Sequence, residues 1–210
     1  MWYNDERMEA LSQPSFQSSL RPSYFLGTYL MAVFLIFIIS LVLGIVLAWV
    51  FPKEAFTFFQ GTLSNLPPIQ DISNAQLFFQ IFLHNLSIAA GMFLLGIFFG
   101  IVPIVIIFLN GATIGLFAFV LVQGMGLKTT LIGLLPHGIF EIPGVLIAAA
   151  LGMLLGFNVL QHVFGKNAPA FGKTFWYSFR RFVIFVIPLL LVAAFVESYV
   201  TQALLGLTTS

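Results

Sequence analysis

Residues 24–51 read YFLGTYLMAVFLIFIISLVLGIVLAWVF, a stretch without a single Asp, Glu, Lys or Arg. About 20 apolar residues carry a helix across the hydrocarbon of a bilayer, whereas a transmembrane strand needs only about ten. The run is too long for a strand. It therefore predicts a membrane-spanning helix, which bonds its backbone groups within one segment. Tyr24 and Trp49 lie near its ends, where amphipathic rings favour the headgroup region, and Pro52 stops it.

Outward from this run, residues 1–24 form a polar N-terminal arm with Asp5, Glu6, Arg7, Glu9 and Arg21, interrupted by Pro14 and Pro22. No small-residue cleavage pattern follows the apolar run, so it reads as a retained span and not a cleaved signal peptide. Residues 52–76 read as a loop, with KEAFTFFQGTL flat on the membrane and NLPP turning. The apolar stretch from Leu77 to Val122 exceeds one crossing, and Gly96, Gly100 and Pro103 divide it into spans near 77–99 and 101–122. Their junction is a tight hairpin or a break shielded by neighbouring helices. QGMGLK makes a short turn before a fourth span near 131–157. A basic loop, 158–181, ends in the amphipathic, interfacial stretch KTFWYSFRRF, and a fifth span lies near 182–205. The expected fold class is all-α: a polytopic membrane helix bundle of five transmembrane helices, in one membrane domain over 25–210.

Composition points the same way. Charged residues make up 7% of the chain against about a quarter in soluble domains, and 60% is hydrophobic, which leaves no room for a soluble catalytic domain. A net charge of +1 gives no reason to expect nucleic acid as a partner. The chain has no cysteine, which excludes disulfides and thiolate metal sites. Neither a phosphate loop, nor a dinucleotide fingerprint, nor a nucleophile elbow occurs, and no cofactor is expected.

Lys166, Lys173, Arg180 and Arg181 lie in the loop 158–181, and Arg7 and Arg21 in the arm. The remaining connections hold only Lys53 and Lys128. With five spans, arm and basic loop share a side, and positive charge favours the cytoplasm. The expectation is a multi-pass protein of the cell membrane, N-terminus in and C-terminus out.

Gly144, Ala148, Gly152 and Gly156 recur every four residues on the fourth span, a narrow flat stripe that lets helix backbones approach. Gly96 with Gly100, and Gly111 with Gly115, repeat the spacing. The stripes suit packing within one subunit or between copies, so a homo-oligomer or other membrane proteins join the bilayer as expected partners.

The intramembrane polar residues are few: His84 and Asn85, Asn110, His137 and Glu141, and Glu197. At 1.5 Å per residue, His84 and Glu197 lie roughly 10 Å below the outer ends of their spans, His137 roughly 9 Å, and Glu141 and Asn110 roughly 15 and 19 Å. Four helices thus place polar groups in one band of the outer half, with His137 and Glu141 on one helix face. Three readings stay open. The band is a hydrogen-bonded network that fixes packing, or a polar path for an ion or proton, or a metal site of His84, His137, Glu141 and Glu197. The zinc-protease pattern HExxH is absent.

The segments FLHNL, FLNGATIG, LPHGIFEIPGVLIAAALGMLLG and AAFVESYVT carry an Asn (Asn85), an Asn-Gly (Asn110, Gly111), a His-Gly-x-x-Glu (His137, Gly138, Glu141) and an Ala-x-x-Glu (Ala194, Glu197). In order and spacing they resemble the stage II sporulation protein M family from about residue 25 onward. The resemblance implies a multi-spanning protein. The family's namesake anchors peptidoglycan-degrading partners during forespore engulfment, and relatives occur in non-sporulating organisms, archaea included. The leading functional expectation is a non-enzymatic membrane scaffold or assembly component. A channel or transporter using the polar cluster is the alternative, and an intramembrane metal-binding enzyme the second alternative.

Topology is directly testable. A cysteine introduced at Ser210 should react with an impermeant maleimide from outside the cell, and one beside Arg180 only from the cytoplasm. Labelling at position 210 from the cytoplasm alone would overturn the orientation or the span count.

Overall fold

In a computed structural model, the described residues are 23–64, 73–165 and 168–201, and they contain helices and no strand. Side chains are described for these residues except Ser23, Tyr24, Phe25, Leu63 and His137. The arm before Ser23 and the NLPP turn lie outside the described residues. Among the described residues, five helices are long and apolar enough to cross a membrane.

The first span is the helix Ser23–Val50. Phe51 breaks it, and Pro52 opens a second helix, Pro52–Ser64, at a position where a missing N–H costs nothing. This short helix packs on the bundle through Ala55, buried with Ala48 and Val120, and through Phe59, whose ring meets Phe117 edge-on at 5.0 Å. The segment read from sequence as a flat-lying loop is therefore helical.

The second span, Asn74–Leu95, starts earlier than its apolar residues suggest. Ser73 caps it: its hydroxyl accepts from the Gln76 backbone N–H at 3.3 Å, and the Gln76 side chain accepts from the Ser73 N–H at 2.9 Å. This reciprocal capping box draws the polar turn before Leu77 into the helix. At the other end the chain reverses through Phe99 and Gly100, with φ of 57° and 75°. Left-handed φ is open to glycine and uncommon for a bulky residue such as Phe99. The uncharged junction is thus a tight turn, closed by a bond from the Gly100 N–H to the Gly96 carbonyl at 2.8 Å.

Helical bonding then continues from Ile101 to Val163, interrupted at Gly126, where φ is 81° and ψ 161°. A straight helix would place residues 110 and 141 roughly 46 Å apart. They line the same cavity, so the chain folds back at Gly126 and the two arms are the third and fourth spans. The fifth span is longer than its apolar run. Phe171–Arg181 is helical and continues without a break through Ile187–Phe195 to Thr201, so most of the expected basic loop belongs to helices. Two π-helical stretches widen it, Phe182–Val186 and Val196–Thr201. Pro188 follows the first; its ring cannot accommodate regular bonding to the preceding turn.

Small residues set the packing. The first and third spans run side by side in the same direction. Gly44 lies on the Ala112 backbone, Gly111 on Phe37 and Ser40, and Gly115 on the Leu41 carbonyl. Ser40 tolerates complete burial because its hydroxyl donates to the Phe37 carbonyl at 2.9 Å. The glycine stripe of the fourth span divides between two partners. Gly152 and Gly156 lie on Met92, Gly96 and Gly100 of the second span and its turn, while Gly144 faces Leu189 and Leu190 of the fifth. Around these contacts Val33, Met92, Phe93, Ile107, Leu151, Leu155 and Leu190 form a fully enclosed core.

A side chain at Gly152 would fall on the Met92 backbone, which cannot yield as a flexible side chain can. Gly152→Leu should therefore destabilise the protein in detergent by at least about 1–3 kcal/mol. Gly91→Ala, in the same region but with open space at its Cβ, should not. Equal thermal stability of Gly152→Leu and the parent would refute this packing.

Candidate functional site

Asn85, Asn110 and Glu141 come from the second, third and fourth spans, and the fold brings them to the wall of one small cavity between the spans. Phe37 of the first span closes one side. Ile88, Ile114, Ile142, Val145 and Leu146 complete the lining. Asn85 is buried, while Asn110 and Glu141 are half-buried. The cavity holds about 30 Å³, room for a water molecule or two. Three polar side chains around a space of this size can satisfy one another directly or through water, which the apolar wall cannot do.

Local backbone features concentrate in the same region. Pro136 and Pro143 bracket the His-Gly-x-x-Glu segment inside the fourth span. Each lacks an N–H, which frees the carbonyls of Ile132 and Ile139 from the helix ladder and adds acceptors to the polar stretch. Glu197 lies in the second π-helical stretch of the fifth span and is half-buried. That stretch packs against the second span and against the helical segment Ile101–Val163. Neighbouring hydroxyls support its widened turn: Ser198 donates to the Ala194 carbonyl at 2.7 Å, and Thr201 to the Val196 carbonyl at 3.3 Å. Such bulges recur at functional positions because they re-aim a side chain.

The fourth and fifth spans run antiparallel with Gly144 beside Leu190, so seven residues further along Glu197 comes level with position 137. Position 137 is helical; its side chain is outside the described set. His84 is exposed on the flank of the second span and does not line the cavity. Among the described residues, no group of three or more His, Asp or Glu side chains is arranged to hold a metal ion.

A second polar node lies near the opposite end of the bundle. Asn158 is buried and donates from Nδ2 to the Pro169 carbonyl at 2.9 Å, which ties the end of the fourth span to the start of the fifth. With Tyr29, Gln161 and Thr174 it lines a cavity of about 20 Å³. The expectation of a loop from residue 158 missed this node. The visible signal was an Asn directly after an apolar run, which equally fits a helix end.

The sequence pattern of stage II sporulation protein M matches residues 33–202, a range that contains every residue of the polar band. The chain belongs to the stage II sporulation protein M family. It is also similar to an uncharacterized protein of Methanocaldococcus jannaschii, 30% identical over 154 residues that cover 70% of this chain and 86% of the relative. No solved structure matches. Within this family member, the resemblance first carried by the Asn, Asn-Gly and His-Gly-x-x-Glu segments has a spatial counterpart: Asn85, Asn110 and Glu141 share one cavity.

If Asn85 and Glu141 support one another across that cavity, their substitutions are not independent. A double-mutant cycle of Asn85→Ala and Glu141→Ala, read by unfolding in detergent, should show a coupling of about 0.6–2 kcal/mol, the range of interhelical hydrogen bonds. Additivity to within about 0.3 kcal/mol would separate the two residues.

Proposed function

We propose that this stage II sporulation protein M family member is a non-enzymatic scaffold or assembly component of the cell membrane, with its basic end cytoplasmic. The single observation that carries the reading is the size and lining of the Asn85–Asn110–Glu141 cavity. It has room for about one or two waters and is walled mainly by apolar side chains. That geometry suits a polar node that pins helices together better than a passage or a substrate pocket. The outward faces of the spans fit docking. Most of the first span is exposed on the bundle's outside, so Met31, Leu35, Ile39, Val42 and Trp49 remain open to lipid, to another membrane protein or to a second copy.

Proteoliposomes carrying an internal pH dye separate this reading from that of a channel or transporter. The parent should leak protons and cations no faster than protein-free vesicles. Glu141→Gln should fold and melt close to the parent, because the amide keeps the shape and still hydrogen-bonds. A flux that the parent supports and Glu141→Gln abolishes would overturn the scaffold in favour of transport.

A further inference from the structure

One face of the helix that opens the fifth span is unlike any other surface among the described residues. Gly172, Lys173, Trp176, Tyr177, Arg180, Arg181, Ile184 and Phe185 follow the helical repeat and border an open groove of about 700 Å³. The groove contains three cations and no carboxylate. The opposite face of the same segment, at Thr174 and Ser178, is buried, which fixes the direction in which the groove faces. Arg181 is held in place: its guanidinium lies over the Tyr177 ring at 4.7 Å and over Phe185 at 6.0 Å. Trp176 is 65% exposed, and Ile184 and Phe185 below it are 50% and 46% exposed.

The order along the groove is informative. Lys173 comes first, then Trp176 and Tyr177, then the arginine pair, and then exposed apolar side chains where the lipid-spanning part begins. Aromatic rings and arginines at that junction sit at headgroup depth, with long basic side chains reaching toward the polar side. A ligand that matches both ends carries a negative phosphate beside its polar head and hydrocarbon directly below it.

We propose that this groove binds one anionic phospholipid. Its phosphate lies among Lys173, Arg180 and Arg181 at the level of the Trp176 and Tyr177 rings, and its acyl chains run along Ile184 and Phe185. Guanidinium groups suit phosphate because they donate paired N–H bonds in a fixed fork. An occupied groove ties the fifth span to its leaflet at the end of the bundle where the Asn158–Pro169 bond anchors this segment to the fourth span.

The test uses the full chain, delipidated in a neutral detergent and titrated with dioleoylphosphatidylglycerol or dioleoylphosphatidylcholine, with bound lipid counted by native mass spectrometry. The parent should retain phosphatidylglycerol with a preference of roughly tenfold or more, since basic residues near a membrane each add to the attraction for anionic lipid. Lys173→Gln/Arg180→Gln/Arg181→Gln should lose that preference. Lys53→Gln/Lys128→Gln, which removes the same kind of charge elsewhere, should keep it. Lys173→Gln alone, at an exposed position, should lose part of it, which keeps the test valid should the triple variant misfold. Inorganic phosphate at millimolar concentration should not displace the lipid, because it lacks the chains. Equal binding of the two lipids, an undiminished preference in Lys173→Gln and the triple variant, an equal loss in Lys53→Gln/Lys128→Gln, or displacement by inorganic phosphate would each overturn the site.

Discussion

The close contact of backbones between the second and fourth spans is the constraint on which the rest of the bundle depends. Between helices in lipid there is no hydrophobic gain from excluding lipid tails, so association rests on van der Waals packing and on polar contacts. Gly152 and Gly156 bring the fourth span onto Met92, Gly96 and the turn at Gly100. That approach sets the depth of the turn and hence where the third span begins. The third span in turn meets the first through Gly111, Gly115 and Gly44. Two glycine-lined contacts thus place four spans, and Gly144 admits the fifth beside them.

The polar residues use this placement. A carboxyl group in hydrocarbon must be neutralised, hydrated or paired, and each remedy needs neighbours at its own depth. Close packing of the second and fourth spans brings Asn85 level with Glu141, and the turn at Gly126 returns the chain so that Asn110 faces the same small cavity. The prolines on either side of the His-Gly-x-x-Glu segment and the π-helical stretch around Glu197 loosen helical bonding at that level. Regular helices alone would offer the site fewer backbone acceptors.

At the basic end the design is different. Thr174 and Ser178 turn inward while Lys173, Arg180 and Arg181 turn outward, so one helix both docks on the bundle and presents charge. Phe93 links the two regions, with its ring 5.8 Å from Phe175 and 5.1 Å from Phe182. The core of the bundle and the segment at its rim are therefore packed as one unit.

Membrane residence, span number and helical class were legible in the sequence. They depend on quantities local to the chain: the length of an uncharged run such as 24–51, and breaks at Pro52, Gly96–Gly100 and Gly126. The set of polar residues and the glycine stripe were legible for the same reason, since period and composition are one-dimensional. Tertiary structure alone decided the partners. Nothing in the spacing of Gly144, Gly152 and Gly156 tells that the stripe divides between the fifth span and the second, because a small residue records that something approaches and not what. The same applies to the band. His84 and Asn85 are adjacent in sequence and equally polar, yet Asn85 lines the cavity while His84 is exposed, because a helix turns about 100° per residue and only packing decides which direction is inside. Helix ends were also hidden. Ser73 with Gln76 and Asn158 with Pro169 extend helices past their apolar runs by side-chain hydrogen bonds, a cause that hydropathy does not register.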